Sequence, residues 1–386
     1  MSTPDSTATT TAAEWARRAD QAARSVTRNY GRRLLSLPGT HIAAVVLPGG
    51  GLRSQLGTWH YWWQAHYVDC LVDAGRRELE SQEKFDGGSR PSAGRLASRV
   101  VTTIRLRNLF RFVNDYYDDM AWLALATLRL DKLAEDTRNR GRRRNAYVRK
   151  SLTPQFVSAS TDDMGGGTFW STKRDFKNAP ATAPVALFFA RTGQQQKAQA
   201  LVDWLNGKLL DPERGVYLDG LRINNGQEVQ DTAVYTYNQG PVLGALLELG
   251  GAANLERAAN VVDAVARELT INGTHVIRGD GTGDGGLFTG ILLRYLSLAA
   301  RDDRLPGEAR ATALSLVRNT AEALWTTRTT HGTGSLHAGG SGSRSLVFSF
   351  DPQLPASQTY PQGAAVELST QLQAWMALEA AARLGD

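Results

Sequence analysis

Apolar side chains recur at intervals of three and four along most of this chain, the spacing of amphipathic helices. Trp15, Ala22, Ala23, Val26 and Tyr30 fall on one face of a helix predicted from Ala12 to about Leu37, and Pro38-Gly39 ends it. The aromatic run Thr58–Asp69 continues into Cys70–Gly75 as an inward-facing helix, and Ser92 to Val113 gives a third. A fourth starts at a pair of aspartates, Asp118-Asp119, and runs to about Lys132, followed by a short amphipathic piece at Arg140–Ser151. Further helices are predicted at Pro180–Arg191, Gly193–Leu209, from Tyr235–Pro241 onward, at Leu255–Leu269, from Ile291, at Glu308–Trp325 and at Gln362–Leu384. Asp211-Pro212 and Tyr217–Gly220 read as a loop or short hairpin, Thr329–Ser345 as a Gly/Ser/His-rich link, and convincing alternating strands are nearly absent. About twelve helices without a strict repeat argue against a solenoid. They suit an all-α, closed ring of six inner and six outer helices in a single domain, 12–386, behind a Ser/Thr-rich tail, 1–11, expected to be disordered.

Composition changes this picture little. At 386 residues, 42% apolar and 21% charged, the chain has an ordinary globular balance and room for one large barrel. The single cysteine, Cys70, excludes an internal disulfide and reads as a small core residue. No apolar run is long enough to span a bilayer, so no membrane insertion is expected. The net charge of +6 is concentrated in Arg138, Arg140, Arg142, Arg143 and Arg144, but no nucleic-acid motif accompanies it. The start lacks the basic and apolar regions of a signal peptide, which places the chain as written in the cytoplasm, and outside the cell only if its start was trimmed. We expect a monomer.

The candidate chemistry sits at Asn114–Ala126, a loop that turns into a helix as two adjacent carboxylates arrive between tyrosines and Trp122. One Asp at a helix start is capping chemistry. The second invites a glycosidase reading, in which one carboxylate attacks or stabilises positive charge and one carboxylic acid protonates the leaving oxygen. Successive residues of a regular helix diverge by about 100°, so a tandem pair converges only where the helix is beginning. Two like charges that close push their proton affinities apart and separate the roles. Tyr116, Tyr117 and Trp122 would wall the sugar site. An Asp-Asp-x-x-Asp metal motif fails because Trp122 stands where the third acid belongs, and neither His60 nor His66 has metal-ligand spacing. Neither metal nor cofactor is expected.

Tyr-Tyr-Asp-Asp-x-Ala-Trp-x-Ala-Leu-Ala resembles the catalytic motif of glycoside hydrolase family 76, the endo-α-1,6-mannanases, and similarity runs from about Trp59 to the C-terminus. The resemblance implies an (α/α)6 barrel and a retaining mechanism, with Asp118 as nucleophile and Asp119 as acid/base. It implies an α-linked manno-oligosaccharide or mannan as substrate. Trp62, Trp63 and Gln64 lie in a comparable Trp-Gln helix, where an indole stacks on a hexose. Gly166-Gly167-Thr168-Phe169-Trp170 and Lys177-Asn178-Ala179 resemble the family's substrate-lining loop, with Phe169 or Trp170 as a sugar platform and Lys177 and Asn178 bonding hydroxyls or orienting the acids. Tyr237, Asn238 and Gln239, and then Asp284 and Phe288, fall in further family-like stretches, and with Tyr117 and Trp122 complete the expected substrate-binding set. The alternatives are a non-catalytic glycan-binding protein or a transglycosylase on the same barrel. An epimerase would need histidines in the cleft, and none of the six lies in the acid motif.

Overall fold

The computed structural model describes residues 10–48, 57–88, 91–137, 142–272, 274–332 and 344–385. Twelve helices of thirteen residues or more build it, in six pairs. The outer members are α1 (Ala12–Asn29), α3 (Ala93–Arg107), α5 (Arg142–Ala159), α7 (Gln195–Lys208), α9 (Ala252–Glu268) and α11 (Gly307–Thr326). The inner members are α2 (Tyr61–Ser81), α4 (Tyr117–Asp136), α6 (Ala179–Arg191), α8 (Thr236–Leu249), α10 (Phe288–Ala300) and α12 (Leu368–Ala382). Each inner helix packs on the next, and α12 returns to α2 to close the ring. Each of the outer helices α3, α5, α7, α9 and α11 packs on the inner helix before it, while α1 packs on α12 and ties the two ends of the fold together.

The split between layers is written in the residues. The inner helix α6, Ala-Pro-Ala-Thr-Ala-Pro-Val-Ala-Leu-Phe-Phe-Ala-Arg, is buried from Ala179 to Ala190, and α12 is buried from Leu368 to Ala381. Helices apolar all round belong in the middle of a protein. The outer α1 instead buries a single stripe, Trp15, Ala19, Ala22, Ala23 and Val26, and gives its other face to arginines and water. Small residues let inner helices approach. Any side chain at Gly244 of α8 would meet the Tyr295 ring of α10 at 2.6 Å.

Because inner and outer helices alternate in direction, all six inner helices start at the same end of the ring. That end carries nearly all the loops between a helix pair and the next, and four small antiparallel sheets lie among the described residues. The largest joins Phe176–Asn178 to the hairpin Gly220–Asn224 and Gln227–Asp231. The hairpin starts where the expected Tyr217–Gly220 turn ends, so it lies just downstream of its sequence-based placement. Helix α5 begins at Arg142 and extends to Ala159, eight residues beyond expectation. Residues 1–9 of the expected tail, Arg138 and Arg140 of the arginine cluster and most of the Gly/Ser/His-rich link lie outside the described residues.

Candidate active site

The starts of the six inner helices surround one cleft, and their positive dipole ends converge on it. Asp118 and Asp119 occupy the first turn of α4, both half-buried. The loop before that turn is fastened from two sides. The Tyr117 amide donates to the Trp170 carbonyl (2.8 Å), the Thr172 amide donates to the Asp115 carbonyl (2.9 Å), and the Tyr116 amide donates to Asn114 Oδ1 (3.1 Å). The Gly-rich segment that ends at Trp170 is thereby stitched onto the acid turn. Its conformation needs glycine, since Gly167 has φ near +77° and a side chain there would strike the Trp204 indole at 2.6 Å.

The two carboxylates have unequal surroundings. Asp118 accepts on both oxygens, from the Asp119 amide at Oδ1 (2.9 Å) and from the Trp170 indole N–H at Oδ2 (3.1 Å). Burial pushes its carboxyl up to about 7, and those two donors oppose the rise. Asp119 accepts from the Asn114 amide at Oδ2 (2.6 Å). Burial and then the neighbouring Asp118 charge hold the Asp119 proton well above the ordinary carboxylate range, with only the Asn114 bond opposing. Donors aimed at both oxygens favour an ion, and burial beside a negative charge favours an acid. Of the two, Asp119 therefore holds its proton the more tightly and Asp118 is the first to ionise.

Opposite the acids, Asp284 stands exposed before α10 and accepts the indole N–H groups of Trp62 (3.1 Å) and Trp63 (2.8 Å) on one oxygen. Tyr237 stacks face to face on Phe288, centroids 3.6 Å apart and nearly coplanar. Burial, and after it the negative charges of Asp219, Asp118 and Asp284, hold the proton on the Tyr237 hydroxyl. Trp170 and Tyr116 meet at 5.0 Å on the other side of the acids. Trp62, Trp170, Tyr237 and Asp284 keep surface open to the cleft end, and Trp63 and Phe288 brace them from behind. Tyr117 and Trp122 are buried under the acid turn, where Trp122 packs on the His66 ring at 4.8 Å, so they form its floor rather than its open wall.

Four of the expected sugar contacts are corrected by their hydrogen bonds, and Phe169 and Asn238 by their burial. Gln64 is fully buried and spends its amide on the Ala43 backbone, accepting its N–H and donating to its carbonyl, and donates also to the Trp59 carbonyl. Gln239 does the same for Tyr217 and reaches the Tyr235 carbonyl. Asn178 caps α6 through the Ala181 amide (3.1 Å). Lys177, with no exposed surface, donates to the carbonyls of Thr161, Asp163 and Gly166 at 2.7–2.8 Å and lies over the Phe169 ring. Phe169 is buried beneath it and offers no platform. These residues hold the cleft's loops in shape. Asn238 is likewise fully buried, its amide directed at Asp219 (3.4 Å).

Four residues that the sequence reading passed over belong to the same end. Asn114 is the Asp119 partner, and its place five residues ahead of the second acid was the available signal. Asp280 caps the start of α8 through the Thr236 amide and hydroxyl. Tyr235 packs edge-on against Phe288 at 5.5 Å and is exposed. Asp219 is buried beside Asn238, and that burial raises its carboxyl to about 6. Asp280 stands four residues ahead of Asp284, a signal the sequence offered, whereas Asp219 lies apart from every acid of the site and only the fold brings it to the cleft. Among the described residues no group of His, Cys, Asp and Glu is arranged to hold a metal.

A closed ring of paired helices, with two unequal carboxylates on an aromatic-lined cleft where the inner helices begin, defines a barrel suited to acting on sugars. The chain belongs to glycosyl hydrolase family 76, whose profile matches residues 48–344. It is similar over 96% of its length to the α-1,6-mannanase GH76A of Salegentibacter sp. HEL1_6, covering 99% of that chain with 28% identity and a TM-score of 0.76. An inactive variant of that enzyme, with two consecutive aspartates replaced by asparagine, is solved in complex with α-1,6-mannotriose and matches at 27% identity, TM-score 0.75, with the same coverage of both chains. Dfg5 from Chaetomium thermophilum, solved with glucosamine, shares the fold at 15% identity, TM-score 0.70, over 96% of this chain and 90% of its own. A curated relative, the meiotically up-regulated gene 191 protein of Schizosaccharomyces pombe, is 27% identical over 231 residues, 53% of this chain and 51% of that protein. The chain thus spans about half the length of that relative.

Proposed function

We propose that the protein is a retaining endo-α-1,6-mannanase. The observation that carries the reading is the asymmetry of the pair, with Asp118 held by two donors and Asp119 pressed toward its protonated form. The Asp118 carboxylate attacks the anomeric carbon as the glycosidic C–O bond breaks, and the Asp119 proton passes to the departing oxygen. A water then enters, Asp119 takes its proton, the hydroxide attacks the anomeric carbon, and the ester bond to Asp118 breaks. Net hydrolysis consumes one water and returns both carboxyls to their starting states. Trp62, Trp170 and Tyr237 offer apolar faces to successive hexoses, and Asp284 accepts from hydroxyls.

The similarity to an α-1,6-mannanase whose inactive form lacks two consecutive aspartates supports both the linkage and the pair. The test is release of reducing ends from α-1,6-mannan by wild type, Asp118→Asn and Asp119→Asn. Wild-type turnover with loss in both variants is the expected result. Full activity in either variant overturns the roles, and mannan binding without turnover by wild type would make the protein a glycan-binding member.

A further inference from the structure

One sector of the cleft end has a character that sugar chemistry does not require. The stretches 21–68, 87–114 and 137–161 contain no Asp or Glu and carry eighteen of the Lys and Arg residues. They include the second half of α1, all of α3 and all of α5, three successive outer helices. Where α3 ends at this end of the barrel, the chain turns through Leu109 (φ 51°) and Phe110 (φ 61°), and both side chains stand out, 82% and 67% exposed. Two consecutive large residues in the left-handed region are unusual, and here the conformation turns apolar groups away from the core. The turn is braced, since Arg105 donates to the Phe110 carbonyl (3.0 Å) and Asn108 to the Val113 carbonyl (2.8 Å).

A second apolar tip is tied to the same helix. Leu35 and Leu37 are 44% and 47% exposed, and the turn that presents them is tied down at Thr40 and then through His41, whose amide donates to Thr103 of α3, one turn ahead of Arg107. Around the tips lie Arg33, Arg105 and Arg111, all exposed, and Arg107, which reaches the Gly57 carbonyl and the Trp59 ring. Asp115, the first acid after the Leu109 turn, is directed at Thr172 instead (3.4 Å).

Protruding apolar tips ringed by arginines, with no acid between them, fit a surface that is apolar inside and anionic outside. We propose that Leu109 and Phe110, with Leu35 and Leu37 beside them, dip into an anionic lipid bilayer while Arg33, Arg105 and Arg111 meet its headgroups. The contact is peripheral, and it sets the cleft at the membrane surface because the tips and the acid pair share one end of the barrel. Apolar burial supplies the hold and the arginines supply selectivity for anionic lipid. This goes beyond the hydrolase reading and does not depend on it.

The experiment is co-sedimentation of the full chain with vesicles of mixed phosphatidylglycerol and phosphatidylcholine, and of phosphatidylcholine alone. Wild type is expected to sediment with the mixed vesicles, to be released by raised salt, and to stay in solution with the neutral ones. The double variant Leu109→Ser/Phe110→Ser should bind at least about tenfold more weakly, and Arg111→Glu should weaken binding too, with the melting temperatures of both unchanged. Equal binding to neutral vesicles, no vesicle binding, or full binding by the double variant overturns the proposal. So does self-association of wild type in sedimentation velocity that the double variant abolishes, which would make the tips an interface between copies.

Discussion

The indole N–H of Trp170 is aimed at Asp118, and this one bond has a measurable consequence. Trp170→Phe keeps the ring and removes a donor to the charged carboxylate, so the Asp118 carboxyl rises further. Asp118 must be ionised to attack, and the acid limb of kcat/KM should therefore move to higher pH, with activity on that limb falling by roughly tenfold for each pH unit it moves. A pH profile of mannan hydrolysis checks it, and an unmoved acid limb would say the bond is idle. The acids also burden the fold. Both carboxyls titrate above their unfolded values, so the native state binds their protons more tightly than the unfolded chain does. Their contribution to stability is present at low pH and lost as pH rises from the ordinary carboxylate range through the folded values. At neutral pH Asp118→Asn should consequently melt higher than wild type while losing activity, as thermal unfolding will show. Lys177 makes the opposite case. Lys177→Met leaves three buried carbonyls without their donor and should lower stability by about 1–3 kcal/mol in urea unfolding, where a sugar-contacting lysine would have changed KM alone.

At the scale of elements, the inner helices were legible because burial on every side leaves runs such as Val185–Ala190 and Ala374–Leu378 without a polar face. The acid turn was legible because a helix start is the one place where neighbouring side chains converge. The polar residues were harder to read. An amide at a helix start looks the same whether it awaits a sugar or is used up, and Gln64 and Gln239 are used up by Ala43 and Tyr217, backbone that lies 21 and 22 residues earlier in the chain. Only the folded loops settle that. Short strands were illegible for a different reason: Gln227–Asp231 is exposed along almost its whole length, so no apolar alternation marks it. Replacing Gln64 by Leu should therefore loosen the strand Ile42–Ala43 and the start of α2. Faster amide exchange at Ala43, whose N–H bonds the Gln64 carbonyl oxygen, would report it.

Across the whole molecule, the inner layer of the ring is electrically polarised, while the outer helices run the other way. Six inner helix starts face the cleft with partial positive charge that accepts anionic side chains, and six inner helix ends carry partial negative charge to the far side. There Arg129, Arg294 and Arg383 surround Asp73 in a buried cluster, with Arg294 and Arg129 also reaching Asp69. These guanidinium groups hold the Asp73 carboxyl far below its usual range although burial opposes them. Its stabilising contribution is complete above the unfolded value and is lost as pH falls toward the folded one, so acid should open the far end of the barrel.

The central claim, that one carboxylate attacks while its neighbour delivers a proton, is tested most directly by proton NMR of the first sugar released from an α-1,6-manno-oligosaccharide. Two displacements at the same carbon predict that the new reducing end appears as the α anomer and only later equilibrates. A β anomer formed first would contradict the account.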